Sequence, residues 1–535
     1  MTNTPSIDEM LDVAVVGGGA SGVYTAWRLA TTDPARSPAL TRTAAARGDG
    51  KLRIALFERS GRVGGRLLSV RPPDIGDVVC ELGGMRYMSS HVLVRSLVEK
   101  KLGLKTRDLP VDEDANIAYL RGRHLRHAQV RQGAGLPFDL SPAEQGRNPG
   151  DLLAYAIEQI LPGVTKMQGA ALLRRLEAAE FEGQPLYRQG FWNLVARTIT
   201  SEAYALAKTV IGYDSLGQNW NAVDTIAENF NFTPDVKYSA FVNGYEEVPL
   251  TLADLFRRAG GTIALDTGLR AFDTARLTDG TDGVRLRFRT AAGDDRVVTA
   301  RALVLAMPRR SLELLEQTGP VLDPANADVH ALLRSVSPVV LFKLFLCYPF
   351  PWWEAAGVTE GRSLTDLPIR QLYYWGKAPA QGPVPGPGVL MVYNDVDSVD
   401  FWAGLRAEAA AGRTMTGTGD GRPEWAAFVA PPAMAREAHR QIMEMHGVRY
   451  APEPYAAAFM DWADDPYGGG VHFWNIHEKS WEVIPRVAQP KPPVPVYICG
   501  EAYSDNQTWV EGALETAELV LQQHFQLPAP EWVTS

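Results

Sequence analysis

The chain has 535 residues, 46% hydrophobic, 9% aromatic and 21% charged, a composition that sustains a large buried core and excludes a disordered or collagen-like chain. Lys+Arg 53 against Asp+Glu 62 leave a net charge of -9, and with no basic block anywhere this argues against nucleic acid as a partner. Three cysteines, Cys80, Cys347 and Cys499, lie far apart without a CxxC pair, the amino terminus is polar, and no apolar run reaches the roughly 18 residues of a membrane span. The expectation is a reduced, soluble, cytoplasmic chain that engages no membrane.

Asp12 to Val16 is a short apolar, β-branched run ending at Gly17-Gly18-Gly19-Ala20-Ser21-Gly22, and a helical composition follows from Tyr24 to Ala30. Leu52 to Glu58 predicts a second buried strand, which closes a βαβ unit. Thr31 to Gly50 between them is expected to be a surface insertion. From Ser141 to about Asp224 the pattern is helical, with Leu153, Ile157, Ile160 and Leu161 spaced to share one face, then Leu172, Leu173 and Leu176. Strand signals return at Tyr238 to Val242, a helix at Val248 to Arg258, and strands at Thr262 to Leu269, Val284 to Arg289 and Ala302 to Ala306. Ser337 to Cys347, Gly388 to Tyr393 and Val494 to Cys499 read as further strands, with a last helix at Trp509 to Gln523. Ala378 to Pro387 and Ala411 to Pro423 are Gly/Pro-rich loops. This order predicts two interleaved domains, a nucleotide-binding one being made of both chain ends and the middle.

Gly17, Gly19 and Gly22 fit the G-x-G-x-x-G fingerprint, in which glycines let a turn approach a pyrophosphate held on a helix N-terminus. The motif follows a strand, opens a helix, and is succeeded by a strand ending in Glu58, placed for a ribose hydroxyl. The interval to Glu58 exceeds the usual count of about 20 residues, and Thr31 to Gly50 accounts for the excess. Glu58-Arg59-Ser60-Gly61-Arg62-Val63-Gly64-Gly65-Arg66 adds backbone N–H groups and, through Arg62 and Arg66, guanidinium donors suited to the pyrophosphate. The nine histidines form no HxH or HExxH pattern, so no metal site is expected.

The Glu58 to Arg66 run resembles the second signature, E-x-x-x-R-x-G-G-R, of the flavin amine oxidase superfamily. Val304 to Pro308, Gly500-Glu501-Ala502 and Trp509-Val510-Glu511-Gly512-Ala513 resemble its later motifs, so the likeness spans most of the chain. Glu81-Leu82-Gly83-Gly84-Met85-Arg86-Tyr87 looks like the corresponding segment of L-amino acid oxidases and, equally, L-amino acid 2-monooxygenases. The resemblance implies an α/β fold in which a Rossmann-type FAD-binding domain (10–90, 241–325, 461–528) is interleaved with a substrate-binding domain holding a helical subdomain (91–240) and a mixed sheet (326–460). It implies FAD as cofactor, with contacts from Gly17, Gly19, Ala20, Ser21, Gly22, Glu58, Arg59, Gly65, Arg66, Gly83, Gly84, Met85, Arg86, Gly500, Glu501, Thr508, Trp509 and Val510.

Four residues are expected at the chemistry. A carboxylate buried beside a flavin needs a fork-shaped, permanent cation, which Arg86 supplies; a structural ion pair, or a flavin contact through the neighbouring glycines, is the other use such an arginine could have. Tyr393 resembles a second carboxylate contact, with a plain core tyrosine as its alternative. Lys343, a costly charge in the apolar run Val339 to Cys347, resembles the family lysine that holds a water at flavin N5. Trp509 resembles an aromatic that flanks the substrate, and Trp462 and Trp474 could enlarge the same apolar cavity. The implied reaction is oxidation of an L-amino acid by hydride transfer from Cα to flavin N5, with dioxygen as acceptor, giving a 2-oxo acid, ammonia and hydrogen peroxide. The monooxygenase reaction to an amide, a monoamine or polyamine oxidase, and a silent flavin-binding scaffold remain open. Tyr204, Trp220, Phe230, Phe232 and Trp375 hint at a large side chain, and dimers are frequent in the family, so a homodimer is expected.

Overall fold

The computed structural model describes residues 10–45, 50–230, 236–380, 383–406, 423–464, 467 and 469–534. β1 (Leu11–Val16) is buried along its whole length, as a central parallel strand with apolar side chains on both faces must be. The glycine turn leads to α1 (Ala20–Thr31) and then β2 (Ile54–Phe57). β3 (Ile117–Leu120) and α2 (Ser201–Ile211) lie in the middle segment, followed by β4 (Thr262–Ala264), β5 (Thr267–Arg276), β6 (Asp282–Thr290) and β7 (Asp295–Leu305). β8 (Leu341–Tyr348), β9 (Arg362–Thr365), β10 (Gln371–Lys377), β11 (Gly388–Asp395), β12 (Ala456–Asp461), β13 (Val496–Ile498) and α3 (Val510–Gln523) complete the frame.

The first sheet runs β4-β2-β1-β7, all parallel, and β13 pairs parallel with β7. β7 is long enough to do two jobs. Its second half lies between β1 and β13, while its first half starts an antiparallel meander with β6 and β5. Three expected segments, 10–90, 241–325 and 461–528, therefore contribute strands to one sheet. Their helices pack into one core, where Val23 and Trp27 of α1 meet Leu252 and Phe256 from the middle of the chain and Leu514 and Leu521 of α3.

The second sheet is mixed, in the order β12-β8-β11-β10-β9-β3, with Arg123–Arg126 beyond β3; only the β9-β3 pair is parallel. The segment 91–240 is thus not purely helical, since its hairpin edges this sheet. Its helices, among them Pro149–Ile160, α2 and Ala222–Asn229, bury a separate core around Leu152, Trp192, Leu206 and Ile226. No helix among the described residues is long and apolar enough to cross a membrane.

Several local expectations shift. Thr262 to Leu269 breaks into β4 and β5 because Asp266 turns the chain with φ +52, sending β5 into the meander. Ser337 to Cys347 breaks at Val340: Val336–Val339 pairs with Val471–Trp474, while β8 joins the second sheet. Leu173 is 45% exposed, since Leu172 and Leu176 take the buried face of helix Gly169–Glu177. In the insertion, helix Pro38–Ala45 inserts Leu40 into the core, and the Ser37 hydroxyl donates to the Phe525 carbonyl at 2.6 Å, so that stretch is a docked element. Most of the loop at Ala411 to Pro423, and Phe232, lie outside the described residues.

Candidate functional site

A cavity of about 1850 Å3 opens at the carboxyl ends of β1, β2 and β7, where Val16, Phe57 and Ala306 reach its wall, and extends to the face of the second sheet at Lys343 and Tyr393. The ends of parallel strands are where open α/β sheets bind ligands. Ligand pockets usually hold roughly 300 to 1,000 Å3, so this space accommodates a dinucleotide and a small substrate together.

On the first-sheet side the glycines divide their work. Gly17 has φ +108, and a Cβ there would overlap the Ala306 carbonyl oxygen; a Cβ at Gly22 would overlap that of Gly17. Gly22 therefore sets close helix–strand packing and does not reach the cavity wall. Gly19, by contrast, lines the cavity, and a Cβ there would meet nothing within 4 Å. The Glu58 carboxylate accepts from the N–H of Gly18 at 2.6 Å and of Ser60 at 2.8 Å, which fixes it at the rim. Arg59, Gly65, Arg66, Gly83, Gly84, Met85, Arg86, Gly500, Glu501, Thr508, Trp509 and Val510 also line the space, with Ala20 and Ser21.

Arg62 departs from expectation. It borders the cavity, but its guanidinium donates to the Val63, Leu67 and Gly65 carbonyls and to Glu246 at 2.8 Å, which leaves little for a phosphate. Arg66 pairs with Glu501 at 2.8 Å, and Glu501 also accepts the N–H groups of His472 and Thr508. Burial alone would raise the Glu501 pKa; Arg66 and His472 overcome this and hold it at about 2. Thr508, a β-branched residue with φ +72, sets the turn that delivers Trp509, whose ring packs edge-on to His91 at 4.8 Å.

Across the cavity, Lys343 and Tyr393 are direct cross-strand partners on β8 and β11, so both project from one face of the second sheet. The Lys343 amine donates to the carbonyls of Glu81 at 3.1 Å and Gly83 at 2.5 Å and lies 4.9 Å from the Tyr393 ring. Burial pushes its pKa down to about 7, with the Glu81 carboxylate opposing and Arg86 adding. Arg86 is 7% exposed and makes one side-chain hydrogen bond, from Nη2 to the Tyr213 hydroxyl at 3.2 Å, while Nη1 has no partner. Its guanidinium lies over the Tyr238 ring at 4.1 Å. Among the described residues no carboxylate forms an ion pair with it.

Sequence reasoning missed Tyr213, Arg362 and Asp395, all on the wall. Arg362 pairs with Asp112 at 2.8 Å. Asp395 accepts the Asp214 N–H at 2.7 Å and the Ser215 hydroxyl, and burial pushes it up to about 7. Glu228 faces the same space, pushed up to about 8 by burial. None of these carries a spacing motif: β9 and β11 carry Arg362 and Asp395, helix Ala222–Asn229 carries Glu228, and the turn after α2 brings Tyr213 onto the second sheet. Of the aromatics, Trp462 and Phe230 line the cavity and Trp474 is core. Trp220 stacks on Phe473, Tyr204 packs on Trp192, and Trp375 is buried with its indole N–H on the Val79 carbonyl.

These features fit FAD: an open approach at Gly19, an acceptor carboxylate at Glu58, and a cavity large enough for cofactor and substrate. The profile of the family described as flavin containing amine oxidoreductase matches residues 20–520. Aplysianin-A of Aplysia kurodai is 28% identical over 550 aligned residues, covering 97% of this chain and 91% of that protein. An L-amino-acid oxidase of Pseudechis australis is 24% identical over 400 residues, covering 75% and 69%. Putrescine oxidase, solved with putrescine bound, superposes with a TM-score of 0.64 at 17% identity, over 95% of this chain and 98% of that one.

Proposed function

The chain belongs to the flavin-containing amine oxidoreductases, with FAD as its cofactor, and within that family we propose that it oxidises the α-amine of an L-amino acid, releasing a 2-oxo acid, ammonia and hydrogen peroxide. One observation carries the reading: Arg86 is a buried, permanent cation on the cavity wall, and no carboxylate of the described chain pairs with it. A buried charge left unpaired is costly, and an α-carboxylate arriving from the cavity supplies the missing partner. A simple amine has no group to place there. The L-amino-acid oxidase named above supports the same choice.

Bound FAD supplies the two-electron acceptor and the centre at which dioxygen is reduced. The chain positions everything else. Arg86 holds the carboxylate and so fixes where Cα–H points, and orientation of this kind contributes much of a rate. Tyr393 bounds the wall beside it, its ring packed edge-on to Tyr213 at 5.3 Å. Arg86 and Lys343 on one wall disfavour an α-ammonium and favour the neutral amine that reacts. Lys343, with two N–H groups spent on carbonyls, turns its third position to a water in the cavity, as a donor when protonated and as a lone pair when neutral. Trp509 covers part of the remaining wall and displaces solvent.

The test is an anaerobic titration of the holoenzyme, following flavin absorbance with L-amino acids and, separately, the matching decarboxylated amines. Bleaching by the acids alone is expected. Bleaching by the amines alone overturns the reading.

A further inference from the structure

The hydrogen bonds around Arg86 have a direction, and that direction singles out a residue. Tyr213 follows Gly212, which ends α2 with φ +81 against β9, where a Cβ would meet Leu364 Cδ2 at 2.7 Å. The next two residues are fixed as well: the N–H groups of Asp214 and Ser215 donate to Asp395, and Asp214 pairs with Arg370 at 2.9 Å. With Tyr393 packed on its ring, Tyr213 is held from both sides.

Its hydroxyl lies 3.2 Å from Arg86 Nη2 and 3.0 Å from the Tyr373 hydroxyl. Tyr373 is 1% exposed, and among the described residues its hydroxyl has Tyr213 as its one partner. Either hydroxyl can donate across this contact, but Tyr373 lies off the cavity wall with no other acceptor among the described residues while Tyr213 faces the cavity, so donation from Tyr373 leaves both groups satisfied; a guanidinium can only donate. Both lone pairs of the Tyr213 oxygen are therefore taken. Its own proton must point elsewhere, and Tyr213 lines the cavity. With Tyr373 donating, nothing among the described residues accepts that proton. A phenol whose oxygen is polarised by a cation and a second hydroxyl is a strengthened donor.

We propose that Tyr213 is a direct ligand of the substrate carboxylate, its O–H bonding one carboxylate oxygen while Arg86 and Tyr373 fix its orientation from behind. The proposal rests on the amino-acid reading above and adds a residue from the helical segment to the carboxylate site. It also gives the α2 turn a purpose: it carries a donor from one domain onto a cation of the other.

The test uses holoenzyme of wild type, Tyr213→Phe, Tyr373→Phe and Arg86→Met, with propanoate labelled with 13C at the carboxylate as an unreactive probe. Tyr213→Phe is expected to raise the propanoate Kd and the amino-acid KM by about 10- to 100-fold, with kcat changed far less and flavin retained. The antisymmetric carboxylate stretch of bound propanoate should shift between wild type and Tyr213→Phe, which a purely structural role would not produce. Tyr373→Phe, which keeps the Tyr213 hydroxyl, should weaken binding only a few-fold and guards against misfolding of the first variant. Unchanged Kd and an unshifted band in Tyr213→Phe, with binding lost in Arg86→Met, overturn the role of Tyr213 and leave the amino-acid reading standing. Absence of propanoate binding and of amino-acid turnover in wild type overturns both.

Discussion

Four arginines that the sequence gathers around one cavity have four different fates, and their partners decide which. Arg62 is buried against Glu246, Arg66 pairs with Glu501, Arg59 lies over the Tyr467 ring at 3.7 Å, and Arg86 is buried over the Tyr238 ring with its one side-chain hydrogen bond to Tyr213. The Arg66–Glu501 pair makes a pH prediction. The Glu501 carboxyl, held at about 2 against an ordinary 4.5, binds fewer protons folded than unfolded between those values. Its contribution is fully present above pH 4.5 and is lost as the pH falls toward 2. By linkage it amounts to roughly 3 kcal/mol near neutrality. Urea unfolding of apoprotein should show Glu501→Gln less stable by about this amount at pH 6, with the gap roughly halved by pH 3; a gap independent of pH would refute the assignment. The motifs made the arginines legible but not their fates. The deciding carboxylates, Glu246 and Glu501, lie in other segments of the chain, and only the fold brings them together.

Elements obey the same division between what is local and what is not. The strand–turn–helix at β1 and α1 was readable because its glycines, its apolar run and its helix start agree with one another. Of the mixed sheet, β8 and β11 were readable as strands, but not β3, β9, β10 or β12, nor the order, which pairs β9 in parallel with β3 across the whole middle of the chain. Tyr213 had no local sign at all, since it depends on how α2 ends against β9. Within the glycine turn the structure separates two roles that the motif merges. Gly22→Ala forces a Cβ onto the Gly17 carbonyl, so the expected outcome is loss of several kcal/mol of stability. Gly19→Ala places a methyl in open cavity, with φ -75 that alanine accepts, so stability should stay within about 0.5 kcal/mol while FAD affinity falls at least about tenfold. Thermal melts of the apoproteins and FAD titration of each variant check this; equal FAD affinity in wild type and Gly19→Ala would place the cofactor elsewhere.

At the scale of the molecule, the cavity is walled by residues from Val16 to Ala513, so a ligand seated in it touches segments that the chain order keeps far apart. The first sheet needs β1 and β2 from one end, β7 from the middle and β13 from the other end, and α1, α3 and the helix Glu247–Arg258 share its core. FAD binding and folding are thus coupled: a ligand that binds only the assembled cavity stabilises it by RT ln(1 + [L]/Kd), about 2.7 kcal/mol at a hundredfold excess over Kd. The apoprotein should melt several degrees below the holoprotein, and its Tm should climb with the logarithm of free FAD. The helical core around Leu152, Trp192 and Leu206 is built from one contiguous stretch, so its own packing does not depend on the joining of the chain ends. Hydrogen exchange should therefore show FAD protecting α1, β2 and α3 more strongly than the interior of Pro149–Ile160. Uniform protection would mean instead that the two cores unfold as one cooperative unit.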